Sequence, residues 1–140
     1  MRVFLDTNVL ASSIATRGLC SELLESIIHE HELLTCQPVL DELERVLADK
    51  FRLPQPVVAG FLGLLKTEGR MVASQKALSI PIKDAADISI LACAIAGDAE
   101  VFVTGDKELL ELKQIKTLPI VSPRQFWLEL AGLEDREQRK

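Results

Sequence analysis

Short apolar runs alternate along this chain with longer stretches in which apolar residues recur every three or four positions. Val3-Phe4-Leu5, Leu33-Leu34-Thr35-Cys36, Met71-Val72-Ala73, Val101-Phe102-Val103 and Pro119-Ile120-Val121 are the runs, and each reads as a strand. Leu19, Leu23, Leu24, Ile27 and Ile28 share one face of a helix, with Ser21 or a residue just before it as the cap. Val39, Leu40, Leu43, Val46 and Leu47 form a second stripe. Pro54 and Pro56 break the chain and open a helix carrying Val57, Val58, Phe61, Leu62, Leu64 and Leu65, which Gly69 stops. From Asp84 to Ala96 the pattern predicts a helix that is apolar almost all round after Ile88, hence central and buried. Lys107 to Leu112 reads as a short helix, and Pro123 opens a last one with Phe126, Trp127 and Leu130.

Short strands that are apolar on both faces belong to a parallel sheet covered by helices. Their alternation with helices predicts a three-layer α/β/α fold with a central parallel sheet of about five short strands. Residues 1–133 read as one domain, and the charged tail, 134–140, is expected to fray. The 140 residues, 48% hydrophobic and 26% charged, suit one soluble domain with a core of its own. The formal charge of −5 argues against nucleic-acid affinity through a generally basic surface, while leaving room for a local basic groove. Cys20, Cys36 and Cys93 are odd in number, far apart and in apolar surroundings, which fits buried thiols in a reducing cytoplasm. No stretch approaches the ~18 apolar residues of a membrane span. The opening residues meet Asp6 after three apolar positions, so they do not read as a signal peptide.

In an open α/β sheet the site lies outside the carboxyl ends of the strands. Asp6 directly follows the first strand, and Asp106 follows the fourth through Thr104-Gly105. Asp84 and Asp87 open the apolar helix, and Glu42 lies near the start of the helix after the second strand. Five carboxylates from four segments are thereby directed to one rim. Two unit charges ~4 Å apart repel by about 4 kcal/mol at an effective dielectric near 20. Protons or divalent cations relieve that repulsion, and oxygen-only ligands suit Mg²⁺ or Mn²⁺. Each acid also has a plainer role open to it. Asp84 and Asp106 suit helix caps, Asp6 a cap of the turn that leaves the first strand, Asp87 a first turn stabilised by the helix dipole, and Glu42 a solvated helix face.

At these positions the chain resembles the PIN-domain ribonucleases, in particular the small VapC-type toxins of prokaryotic toxin–antitoxin pairs. Val3-Phe4-Leu5-Asp6-Thr7-Asn8-Val9-Leu10 is similar to the family's opening strand and its metal-binding Asp. Pro38 to Leu43 resembles the second motif, with Glu42 at its acidic position. Asp87 to Ala94 resembles the third, and Val101-Phe102-Val103-Thr104-Gly105-Asp106 the fourth. Where many members carry an acid-rich run, this chain has Asp84-Ala85-Ala86-Asp87, which points to Asp87 and leaves Asp84 as further ligand, outer-sphere acid or cap. The resemblance implies a Mg²⁺- or Mn²⁺-dependent endoribonuclease using Asp6, Glu42, Asp87 and Asp106. It also implies a homodimer and a cognate antitoxin protein. Thr7, Asn8 and Thr104 are candidates for orienting ligands or waters, and Lys83, Lys107 and Arg17, with Arg124, for meeting RNA phosphates. Ordinary turn bonding and solvated charge are the alternatives. His29 and His31 have no third ligand near them in sequence. Two rival functions remain open: another acid-dependent α/β phosphohydrolase, or a PIN-like binding module without catalysis.

Overall fold

The computed structural model describes residues 1–73 and 81–139, and the side chains of 1–73 and 81–132. The strands are β1 (Arg2–Leu5), β2 (Glu32–Cys36), β3 (Arg70–Val72), β4 (Val101–Val103), β5 (Gln114–Ile115) and β6 (Leu118–Val121). The helices are α1 (Thr7–Ala15), α2 (Leu19–Glu30), α3 (Gln37–Arg45), α4 (Gln55–Glu68), α5 (Ala85–Ala96), α6 (Lys107–Leu112) and α7 (Pro123–Arg139). A π-helical turn, Val46–Lys50, extends α3.

The sheet order is β3-β2-β1-β4-β6-β5. The first five of these are parallel, as expected, with Val3 opposite both Leu33 and Val101. The two-residue β5 adds an antiparallel edge that hydrophobic patterning does not announce. Val3, Phe4, Leu5, Leu33, Leu34, Phe102 and Val103 are all sealed from solvent, because helices cover both faces of the central strands. Phe4 and Phe102 stack across β1 and β4 with centroids 5.5 Å apart.

The apolar helix predicted over 84–96 is α5, and it buries Ile90, Leu91, Ala92, Cys93 and Ala94. It can lie close to the sheet because its end is Gly97, where a Cβ would come within 2.7 Å of Val72 Cγ2. Two differences from expectation have local causes. Helix α1 begins at once after β1 although Thr7, Asn8, Ser12 and Ser13 are weak helix formers. Asp6 caps it, and Val9, Leu10 and Ala11 are buried. Helix α2 starts at Leu19 rather than at a Ser21 cap, because Gly18 takes φ +146°, a backbone conformation that side chains disfavour. Helix α7 runs in the described backbone to Arg139. Cys36 and Cys93 are buried and Cys20 is half-buried, all as free thiols. Burial, with Cys93 alongside, pushes the Cys36 thiol up to about 12, which leaves it unreactive.

Candidate functional site

Neighbours flank β1 on both sides, β2 in one direction and β4 in the other, so the sheet reverses its winding between β1 and β4. A crevice opens at the carboxyl ends of strands at such a point. Asp6 occupies it. Its N–H continues the β1–β4 ladder by donating to Val103 O at 2.9 Å. The residue is only 5% exposed. Oδ1 accepts from Thr7 N at 2.8 Å while capping α1, and Oδ2 accepts from the Thr104 hydroxyl at 2.7 Å.

Thr104 is fully buried one residue past β4. Besides donating to Asp6, its Oγ1 accepts from Asp106 N at 3.1 Å. One hydroxyl therefore ties the acid after β1 to the acid after β4. Asp106 caps α6, with Oδ1 accepting from Glu108 N at 2.8 Å and Leu109 N at 3.5 Å. Asp84 caps α5 in the same way, through Ala86 N at 2.8 Å and Asp87 N at 3.4 Å. The helix-capping roles weighed for Asp84 and Asp106 are thus realised, and Asp6 caps a helix where a turn was expected. Asp87, in the first turn of α5, and Glu42, in α3, are half-buried, and their carboxyls have no hydrogen-bond or ion-pair partner among the described residues.

The five acids act on one another. Burial raises the Asp6 carboxyl above its usual range, opposed by the bonds from Thr104 and Thr7 and reinforced by Glu42 and Asp106. Asp87 is pushed up to about 7, first by burial and then by the charges of Asp84, Asp6, Asp106 and Glu42. Among the described residues, no three acidic, His or Cys side chains stand in a set ready to hold a metal ion. Oxygens of Asp6, Asp84 and Asp106 are engaged by N–H and O–H groups of the protein. Each engaged carboxylate oxygen retains a second acceptor position. The donor set is all oxygen, the charge is unrelieved, and Asp6 is held in the crevice floor, so the residues present suit Mg²⁺ or Mn²⁺ in chemistry and charge.

The remaining candidates are placed differently. The Thr7 hydroxyl is buried without a partner among the described residues, although its N–H serves Asp6. Asn8 is exposed on α1. Arg17, Lys83, Lys107 and Arg124 are exposed, with no ion pair among the described residues. His29 and His31 lie at the end of α2, at the opposite edge of the sheet, where β2 begins. The double bonding of Thr104 is the feature that sequence reasoning caught only loosely. Its signal is a threonine just beyond a strand and two residues before an acid.

A PIN-domain family model matches residues 2–108, and the chain belongs to that family. No curated protein matches it. Among solved structures, it is similar to one described as VapBC2 from Rickettsia felis bound to a DNA fragment from their promoter. That likeness has a TM-score of 0.62 at 17% identity, over 87% of this chain and 98% of that one. It is also similar to PAE2754 from Pyrobaculum aerophilum, with TM-score 0.67 and 17% identity over 94% and 90% of the two chains. At such identities the likeness is one of fold. No helix among the described residues is long and apolar enough to cross a membrane.

Proposed function

We propose that this PIN-domain protein is a divalent-metal-dependent endoribonuclease, the toxin of a toxin–antitoxin pair, acting in the cytoplasm. The observation that carries the reading is the Asp6–Thr104–Asp106 link across the β1–β4 crevice, with Glu42 close enough to act on Asp6, and Asp6, Asp106 and Glu42 close enough to act on Asp87. Asp6, Glu42, Asp87 and Asp106 would hold Mg²⁺ or Mn²⁺, with Asp84 as a further ligand or as the cap it already forms. Bound there, the ion would polarise a phosphoryl oxygen, lower the pKa of a coordinated water and stabilise the leaving oxygen. Thr104 holds Asp6 and Asp106 in mutual register. Asp87, whose carboxyl is pushed up to about 7 by burial and the neighbouring acids in the metal-free protein, would give up its proton on binding the ion. The Thr7 N–H holds one Asp6 oxygen at the start of α1, and Asn8, exposed beside it, would orient a ligand or water. Family membership favours this assignment over a phosphohydrolase that uses Asp6 as nucleophile, and so does the burial of Asp6 under two hydrogen bonds.

The similarity to a VapBC complex supports a cognate antitoxin as partner, and family membership a homodimer. The test is incubation of purified protein with structured RNA, with Mn²⁺, with Mg²⁺ and with EDTA. Internal cleavage that requires the metal is expected. No cleavage of diverse RNAs in either metal would leave a non-catalytic binding module.

A further inference from the structure

Two of the three cysteines meet where α5 crosses the sheet. Alternation along β2 puts Leu34 and Cys36 on one face. That face is turned to α5, since a Cβ on Gly97 would come within 3.3 Å of Leu34 Cδ1. Gly97 N donates to Cys93 O at 3.0 Å, one helical turn back along α5 toward the carboxyl edge. Cys36 lies two residues beyond Leu34 in that same direction. One turn of helix advances about 5.4 Å and two strand residues about 6.6 Å, so Cys93 stands over Cys36. Both are fully buried, and the Cys93 thiol acts on that of Cys36.

Strand β3 closes over this pair. Cys36 is paired with Val72 in the parallel ladder, and Cys93 Sγ donates to Ala73 O at 3.9 Å, just past the strand. Among the described strands, β3 has three residues, pairs with β2 alone and forms an edge of the sheet. Its Arg70 and Met71 are exposed, and Val72 is half-buried. Arg70 fastens it, through an ion pair with Glu32 at 3.2 Å and a bond to Gly97 O at 2.7 Å. Short, exposed edge elements of this kind open more often than the core they cover. In the closed fold, burial holds the Cys36 thiol protonated and inert. Displacing β3 lifts that restraint.

We propose that Cys36 and Cys93 form a redox-sensitive lock: when β3 opens, hydrogen peroxide converts the pair to a disulfide that fastens α5 to β2. One sulfur, as thiolate, attacks the peroxide and breaks its O–O bond. The products are a sulfenic acid and, with the proton the thiol released, one water. The second thiol then attacks the sulfenic sulfur, its S–O bond breaks, and a second water leaves. Two thiols and one peroxide give one disulfide and two waters, with two electrons passing from sulfur to oxygen. Cys36 directly precedes α3 and Cys93 lies within α5, so the bond bridges the helices that carry Glu42 and Asp87. It also constrains the unfolded chain over the long segment between the two cysteines. The lock does not depend on the nuclease reading.

The test uses the full chain carrying Cys20→Ala, which removes the third thiol, with hydrogen peroxide as oxidant. Peptide mapping without reductant should find the peptides of Cys36 and Cys93 joined, and the intact mass should show the loss of two hydrogens. Dithiothreitol should reverse both. The melting temperature of the oxidised protein should exceed that of the reduced protein by about 5–15 °C. Adding Arg70→Ala, which loosens β3, should speed the link roughly three- to tenfold at the same peroxide concentration, well below both melting transitions. Oxygen added to the two cysteines separately, with no link between them, would overturn the proposal. So would a link that forms at the same rate with and without Arg70→Ala, or only in denaturant that unfolds the chain.

Discussion

Asp6 has two oxygens, two protein donors and almost no exposure to solvent. Burial works against its charge and the two hydrogen bonds work for it, and burial prevails. Asp6→Asn removes one negative charge from a self-repelling group at nearly constant volume, and Asn caps a helix about as well as Asp. Apo stability is therefore expected to hold or rise. The thermal shift produced by Mn²⁺ should shrink, and cleavage should fall on the order of 10²–10³-fold. Melting curves with and without metal, beside single-turnover cleavage, check both arms; a folded variant that cleaves at the parent rate would sink the mechanism. Thr104 permits a second test at this scale. Thr104→Val keeps the shape but strands Asp106 N and one Asp6 oxygen. A decrease of roughly 1–3 kcal/mol in urea unfolding is expected. Thr104→Ser, which keeps the hydroxyl, should retain most of the parent stability. Equal decreases in the two variants would show that the methyl group, not the hydroxyl, matters.

At the scale of elements, the acids were legible because each stands at a punctuation mark. Asp6 ends β1, Asp84 and Asp106 precede helices, and a parallel topology sends every such junction to one edge. The buried character of α5 was legible in its unbroken apolar surface. Less legible were α1, whose hydroxyl-rich sequence folds only against neighbours, and β5, whose two residues owe their pairing to the turn before β6. The same placement makes cap and ligand hard to separate from sequence, since one aspartate can be both. Substitution separates them. Asp106→Ala should destabilise α6 by about 0.5–2 kcal/mol, whereas Asp106→Asn should keep the cap. Both should weaken the response to Mn²⁺ if Asp106 is a ligand. Chemical denaturation paired with metal titration reads this out, and an Asn variant with the full metal response would leave Asp106 a cap alone.

For the whole molecule, the acid cluster couples folding to protons and, on the proposed function, would couple it to metal. Asp87 titrates near 7 in the folded chain against 3.8 for the unperturbed group, and Asp6 is displaced in the same direction. Between those values the folded state holds protons that the unfolded chain has released. Stability then falls as pH rises, since its slope follows the protons bound by the unfolded state minus those bound by the folded one. Below about pH 4 both states are protonated and the effect is absent; above about 7 both are ionised and the repulsion is fully expressed. A divalent cation bound as proposed would reverse this, because it needs the ionised carboxylates and is most favoured where the metal-free protein is least stable. Saturation at a hundred times the dissociation constant is worth about 2.7 kcal/mol. With EDTA, the proton-linked contribution should lower the melting temperature between pH 5 and pH 8. With millimolar Mn²⁺ the rise in melting temperature should be larger at pH 8 than at pH 5, and binding should release protons, seen as a buffer-dependent heat in titration calorimetry. A metal response of equal size at both pH values, with no proton release, would separate the raised carboxyls from metal binding and refute the coupling.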